Sequence, residues 1–279
     1  MALATGGFTV SKLTVSQILQ LLPKEPKLLK ESFFTEQEVG HPLIIGWNKI
    51  EFHKEFCRYA GLITSGKPSG DHKLTKLGEI IAQQDPNLSD ITTWWFIHTN
   101  LALDHETNIY YALFSHLPPQ LLSKEELIKE MVAIMSRRKV SEVTVRKDSD
   151  AILRWFEESP FANLGTLVTD GRYWGRRDPS PLPSPYAIAY AIILNRLSSS
   201  GAVSTRLSPM LKGEGTLGSV FGIREEGLKA LLRQAENSLG SKILAITDTA
   251  GMDTIYFGNS ESWQVAEQYY LKHNSGLSK

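Results

Sequence analysis

The stretch Val140-Ser-Glu-Val-Thr-Val-Arg-Lys-Asp-Ser-Asp-Ala-Ile-Leu-Arg-Trp-Phe156 decides the reading of this chain. Val145, Ser149, Ile152 and Phe156 recur at helical spacing and share one face, while Thr144, Arg146, Lys147 and Asp150 point elsewhere. The inward face is mostly apolar; the outward face begins cationic. Upstream, Ser123-Lys-Glu-Glu126 has the Ser-x-x-Glu form of a capping box. It opens an amphipathic helix with Leu127, Met131, Ile134 and Met135 along one side, ending near Arg138. Only Lys139 to Ser141 is left to turn the chain, so the two helices read as a helix-turn-helix. Downstream, Thr169-Asp-Gly-Arg172 separates two short β-forming runs and supplies the Asp-Gly pair of a tight hairpin with positive φ. Helix, turn, helix, hairpin is the order of a winged helix.

The opening of the second helix resembles winged-helix DNA-binding domains whose recognition helix begins Val-Ser-x-x-Thr-Val-Arg-Arg/Lys-Asp. Val140, Ser141, Thr144, Val145, Arg146, Lys147 and Asp148 match that pattern. Ser149 departs from it, standing where those domains place Leu, which predicts either a looser inward face or room for a neighbouring side chain. Formal net charge is zero, so attraction to nucleic acid has to be local. Arg137, Arg138, Lys139, Arg146 and Lys147 oppose only Glu142 between positions 137 and 147, and Arg172, Arg176 and Arg177 add cations on the hairpin. With Thr144 as a further phosphate or base-edge contact, these are the expected DNA-binding residues.

Nearer the N-terminus, Thr14-Val-Ser-Gln17 has capping-box form and predicts a short helix to Leu22, stopped by Pro23. Glu36, Glu38 and His41 share a loop and read as solvated residues before a metal or acid/base cluster. Trp47 to Ala60 suits a helix with Gly61 as a left-handed cap. Leu62 to Thr64, a polar tip over 65–71 and His72 to Thr75 then suggest a second, weaker winged helix with Lys49, His53 and Lys54 exposed; a helix merely packed beside a hairpin is the alternative. Leu77 to Ala82 should be helical. Asp90 to Leu103, with Trp94, Trp95, Phe96, Ile97 and His98, and the next helix, with Tyr110, Tyr111, Leu113 and Phe114, read as the central core. Lys and Arg are absent from 85–120, which argues against a base-stacking platform. His98, His105 and His116 lack the four-residue spacing of paired helical ligands and read as buried, hydrogen-bonded histidines.

The proline-rich run Asp178 to Pro185 marks the best boundary. Beyond it the pattern predicts a helix from Tyr186 to Leu197, a Gly/Ser-rich passage to Gly218, and an amphipathic helix around Leu228, Leu231, Leu232 and Ala235. A hairpin (Lys242 to Thr247 with Thr254 to Phe257) and a last helix from about Glu261 follow. The expected fold class is mainly α with small β-hairpins (α+β): tandem winged-helix modules plus a C-terminal α/β-hairpin domain, divided as 1–117, 118–180 and 181–279. Cys57 is a lone cysteine, the N-terminal residues lack signal-peptide character, and the apolar run Tyr186 to Leu194 is too short to span a bilayer. A cytoplasmic protein without membrane contact is expected.

Taken in order, these pieces resemble the domain-of-unknown-function 4007 (DUF4007) family from about Ile45 to Tyr270. The resemblance rests on Gly46-Trp-Asn-Lys49, Tyr59-Ala-Gly-Leu-Ile63, Leu74-Thr-Lys-Leu-Gly-Glu79, Thr93 to His98, Tyr110 to His116, Thr144 to Asp148 and Asp248-Thr-Ala-Gly251. It implies a DNA-acting component of a bacterial DNA phosphorothioation system, a modification and defence machinery that replaces a non-bridging phosphate oxygen with sulfur. An ATPase, a sulfurtransferase and a cysteine desulfurase are the partners it implies, with double-stranded DNA as ligand. The member from single-strand phosphorothioation systems is regarded as a nickase, so nicking to admit sulfur is the implied activity. A non-catalytic winged-helix scaffold docking a sulfurtransferase or ATPase is the alternative. The His-Glu-Thr-Phe element common near the family's N-terminus is missing, and His105-Glu-Thr-Asn108 lies elsewhere in the pattern. No cofactor is evident from the residues; Mg2+ or Mn2+ enters only with nicking, for which Asp248 and Asp253 around a turn are the available carboxylates, more simply read as turn residues. Catalytic residues are not assigned.

Overall fold

The computed structural model describes residues 3–37, 40–64, 71–104, 109–116, 120–198, 204–211, 215–249 and 252–274. It is mainly helical, with two small antiparallel sheets. The first half contains α1 (Lys12–Leu21), α2 (Glu31–Glu36), α3 (Trp47–Tyr59), α4 (Lys76–Gln84), α5 (Ile91–Leu103) and α6 (Ile109–His116). Next come β1 (Leu122–Ser123), α7 (Lys124–Ser136), α8 (Glu142–Glu158), a 3-10 turn (Pro160–Leu164), β2 (Leu167–Thr169) and β3 (Tyr173–Arg176). The chain continues through α9 (Pro185–Ser198), β4 (Ser204–Arg206), α10 (Leu207–Leu211), α11 (Leu217–Phe221), α12 (Glu225–Leu239), β5 (Leu244–Thr249), β6 (Met252–Phe257) and α13 (Ser262–Asn274). The sheets have strand orders β1-β3-β2 and β4-β6-β5. Among the described residues no helix is long and apolar enough to cross a membrane.

Helix α5 is apolar almost all round, which suits a helix enclosed by neighbours. It packs on α6, α9, α11 and the 3-10 turn, with Trp95, Phe96 and Ile97 fully buried. The expected aromatic core is therefore found, joined by Trp155 and Phe156 of α8 and by Phe161: the Trp155 and Phe161 rings stack at 5.8 Å, and Phe56 meets Trp155 edge-on at 5.7 Å. One cluster of buried residues runs from Leu3 to Tyr270 and draws on all three expected segments. At the N-terminus of α5, buried Asp85 accepts from Ser89 N, Asp90 N and Thr93 Oγ1; the Tyr270 hydroxyl donates to Thr93, and Tyr269 Oη donates to Asp90, which ties α13 to the core.

Several local expectations change. Helix α1 starts two residues earlier than Thr14, because Ser11 is the cap and its Oγ accepts from Thr14 N. The element after α3 is a single bridge between Ile63 and Leu74 with Thr64 N donating to Lys73 O, and the intervening tip, 65–70, lies outside the described residues. Its tightness comes from Gly78: a Cβ there would sit 2.1 Å from Leu62 O, so only glycine lets α4 pack so close. His53 is buried rather than exposed. Its Nε2 accepts from Ser11 N at 3.0 Å, so Nδ1 carries the proton and donates to Lys49 O at 2.7 Å. His41 is likewise a structural plug, accepting from Leu43 N and donating to Leu28 O, while Glu38 lies outside the described residues.

The residues just after the N-terminus form a strap over α8 that the sequence pattern does not announce. Thr5 donates twice to the buried Asp148 carboxylate, from N at 3.0 Å and Oγ1 at 2.6 Å; Arg154 Nη2 donates to Gly7 O and Trp155 Nε1 to Phe8 O. Burial pushes the Asp148 carboxyl above its ordinary range and the Thr5 donors pull it back. Replacing Thr5 with Val removes the hydroxyl donor to a buried carboxylate, and urea unfolding should report a loss of about 2 kcal/mol.

His98 gives a pH signature. Its Nε2 faces Val220 O at 2.9 Å and must donate, so Nδ1 accepts from Tyr110 Oη at 2.6 Å. Burial pushes this imidazole down to about 3, and His53 is lowered for the same reason. Because the folded values lie below the unfolded one of about 6.5, the stability these histidines contribute is full above that pH and declines as pH falls. The slope approaches about 1.4 kcal/mol per pH unit per histidine. Urea midpoints should drop from pH 7 to pH 5, and the dependence should be shallower in His98→Asn although that variant starts less stable.

Candidate nucleic-acid interface

The segment that carries the candidate residues is built as its caps dictate. Ser123 and Glu126 form the reciprocal capping box of α7, and Ser141 caps α8 by accepting from Thr144 N. Val145, Ser149, Ile152 and Phe156 are all buried, so the inward face is the expected one; Ser149 Oγ is buried with no hydrogen-bond partner, a polar defect where Leu would be seated. In the hairpin, Thr169 pairs with Trp174, Gly171 has φ 90°, and Asp170 Oδ1 accepts from Arg172 N at 2.9 Å and Tyr173 N at 2.8 Å, which hold that carboxyl below the usual range. Strand β1, unforeseen because it is so short, lies on the far side of β3.

The turn between the helices has one strained residue. Lys139 has φ 60°, and Val140 N donates back to Met135 O, closing α7 with the bond pattern that Leu62 N makes to Cys57 O after Gly61 at φ 71°. Glycine takes that conformation freely, whereas a residue with a Cβ is strained there by about 1–2 kcal/mol.

The expected cations sort into distinct environments. Arg137, Lys139, Lys147, Arg172 and Arg177 are exposed and have no ion pair among the described residues, as does Lys49 at the start of α3. The stem of Lys147 lies against Gly7 of the strap. Thr144 is exposed, its hydroxyl 2.8 Å from Ser141 Oγ. Arg138 sits over the Tyr111 ring, its Cζ 5.6 Å from the centroid. Arg146 is clamped by Glu142 and Glu125, each at 2.8 Å, and the carboxylates raise its affinity for its proton.

Arg176 is a correction. The sequence places it on the wing with its neighbours, but its guanidinium turns inward: Nη1 donates to Phe114 O at 2.9 Å, Nη2 to Val220 O at 3.3 Å, and Nε is buried without a partner. It lies over the Phe114 ring, and burial pulls its pKa down to about 10. Its guanidinium is therefore engaged inside the protein rather than displayed on the wing. Alternation along β3 is the reason, since Tyr173 and Arg177 face out while Trp174 is buried and the chain at Arg176 passes α6 and α11.

Of the acidic candidates, Asp253 pairs with Lys229 at 2.9 Å and is the register partner of Asp248, whose side chain, like the turn residues 250–251, is outside the described residues. His105-Glu-Thr-Asn108 is outside them too. Among the described residues no three His, Cys, Asp or Glu side chains gather as a metal ion would require. Cys57 is buried, which pushes its thiol well up and makes it inert.

A family model described as a protein of unknown function (DUF4007) matches residues 19–270. The chain belongs to that family. Among solved structures, one described as "SspB crystal structure" aligns with a TM-score of 0.77 at 18% identity, covering 99% of this chain and 88% of that one. Another, "Magnesium ion-bound SspB crystal structure", aligns at 0.79 and 17% identity with the same coverages of 99% and 88%. At such identities the likeness is one of fold, and it extends across the whole DUF4007 chain. No curated protein matches.

Relief of the turn strain is measurable. Lys139→Gly should stabilise the protein by about 0.5–1 kcal/mol, the αL penalty less the extra entropy of glycine, whereas Lys139→Ala should be neutral. Thermal or urea unfolding of the two variants separates these outcomes.

Proposed function

We propose that this chain is the DNA-docking component of a bacterial DNA phosphorothioation system, binding duplex DNA through α8 and the β2–β3 hairpin in winged-helix fashion. The element order α6-β1-α7-α8-β2-β3 and the strand order β1-β3-β2 support that reading, as does membership of a family whose resemblance implies such a system. The observation that carries it is the exposed cation set: Arg137 and Lys139 in the turn and Lys147 on α8, with Arg172 and Arg177 on the hairpin, are exposed without ion pairs among the described residues of a molecule whose formal charge sums to zero. The N-terminal half of α8 enters the major groove, and the turn and hairpin cations neutralise the flanking phosphates. Lys49, exposed at the start of α3, is a further phosphate contact in this reading. An ATPase, a sulfurtransferase and a cysteine desulfurase are the partner proteins of this reading.

Nicking is a step beyond docking. The fold neighbour described as magnesium-bound makes Mg2+ the first ion to try, with Mn2+ next. The described residues offer no gathered ligand set for either, so no cleavage step follows from them. A scaffold role is the second reading. It is favoured by exposed Leu121 and Tyr173 beside a groove of about 570 Å³ that Phe156, Leu167 and Arg177 also line.

The test is a salt titration of duplex binding for wild type and the triple variant Arg137→Ala, Lys139→Ala, Lys147→Ala. Each lost phosphate contact should lower the log–log salt slope by about 0.9, so the variant should lose about two to three of these increments and bind weakly at all sequences. An unchanged affinity and slope would remove the docking surface and leave the scaffold.

A further inference from the structure

Arg146 differs from the cations around it. Its Nε donates to Glu142 Oε1 at 2.8 Å and its Nη1 donates to Glu125 Oε1 at 2.8 Å. Glu142 lies one turn earlier on α8 and Glu125 lies in the first turn of α7, so the clamp bridges both helices. An isolated surface ion pair is weak, but two carboxylates approaching one planar guanidinium from different helices fix its orientation.

Three physical consequences follow. The cluster of one guanidinium (+1) and two carboxylates (−2) has a net charge of −1, so an approaching phosphate meets repulsion where a bare arginine would attract it. Release of condensed counterions, which drives phosphate contacts, is then missing at this residue. The side chain is already ordered in the free protein, so holding it in one geometry on binding costs little further entropy. Finally, it remains 41% exposed, and the donors on Nη2 and the second proton on Nη1 are not used by the clamp. A fixed guanidinium edge with spare donors suits neutral acceptors, and guanine presents O6 and N7 together in the major groove.

We infer that Arg146 is a guanine reader, held in place by Glu125 and Glu142, and is not a phosphate anchor. The inference rests on the DNA-docking reading above and names a base specificity for the same surface. Glu125 and Glu142 are positioning residues: they touch the reader and not the DNA. Arg137, Lys139 and Lys147 supply affinity and its salt dependence, and Arg146 supplies discrimination.

The experiment starts with selection of duplexes from a randomised pool by the full chain. Wild type should select guanine at a defined position, and Arg146→Ala should not. A selected duplex is then remade with 7-deazaguanine at that position, which deletes the N7 acceptor alone. Wild type should lose about tenfold in affinity on the modified duplex, while Arg146→Ala should bind both duplexes equally and keep the wild-type salt slope. Glu125→Gln, Glu142→Gln, checked for unchanged helix content, frees the guanidinium. Guanine preference should fall and the salt slope should steepen by about 0.9 as Arg146 finds a phosphate. The inference is overturned if Arg146→Ala weakens all sequences alike and flattens the slope by about 0.9, or if wild type selects no guanine. Absence of duplex binding by wild type at every salt concentration would instead strike the docking reading itself, a result distinguishable from either of these.

Discussion

A guanidinium enclosed by backbone carbonyls holds this molecule together across its length. Arg176 leaves the β2–β3 hairpin, donates to Phe114 O on α6 and to Val220 O on α11, and shares the Val220 carbonyl with His98 of α5, which Tyr110 in turn caps. Elements from the middle, the first half and the last third of the chain therefore meet at one carbonyl. A buried cation without a carboxylate beside it is costly unless its donors find oxygen, and here two do while Nε does not. The hairpin that lies beside α8 is thus anchored from behind.

The second constraint is on α8. Its inner face packs into the aromatic core, and its flank is strapped by Leu3 to Phe8 through Asp148, Arg154 and Trp155. A helix held on both sides presents its remaining face rigidly, which is what recognition of a shaped groove requires. Arg137, Lys139, Arg172 and Arg177 of the turn and hairpin are exposed, whereas Arg138, Arg146 and Arg176 are each engaged by the protein itself. A basic residue in this segment is therefore not by itself an open cation, because several are engaged by carboxylates, an aromatic ring or backbone carbonyls.

Fold likeness over nearly the whole chain at 17–18% identity shows that this architecture tolerates wide change in its residues. The pieces that resemblance singles out have visible physical jobs. Gly78 admits the Leu62 carbonyl, His98 joins α5 to α11, and Asp148 receives the strap. These are folding constraints. The outward residues of α8, by contrast, lie outside the aromatic core, and their contacts are surface ones such as the pairing of Arg146 with Glu125.

Local chemistry alone determined the helices of the central segment, the capping box at Ser123, the Ser141 cap, the turn at Asp170-Gly171 and the aromatic core, because each depends on neighbours within a few positions or on a periodic apolar stripe. Tertiary structure decided the rest. Thr5 reaches Asp148 across 143 residues, Ser11 reaches His53 across 42, and Arg146 meets Glu125 across 21. A hydrogen bond between such distant positions leaves no period in the sequence, and a charge looks the same along the chain whether it faces water, a carboxylate or a buried carbonyl. Which of the arginines stand exposed was therefore settled by packing, through the partners that folding brought to each one.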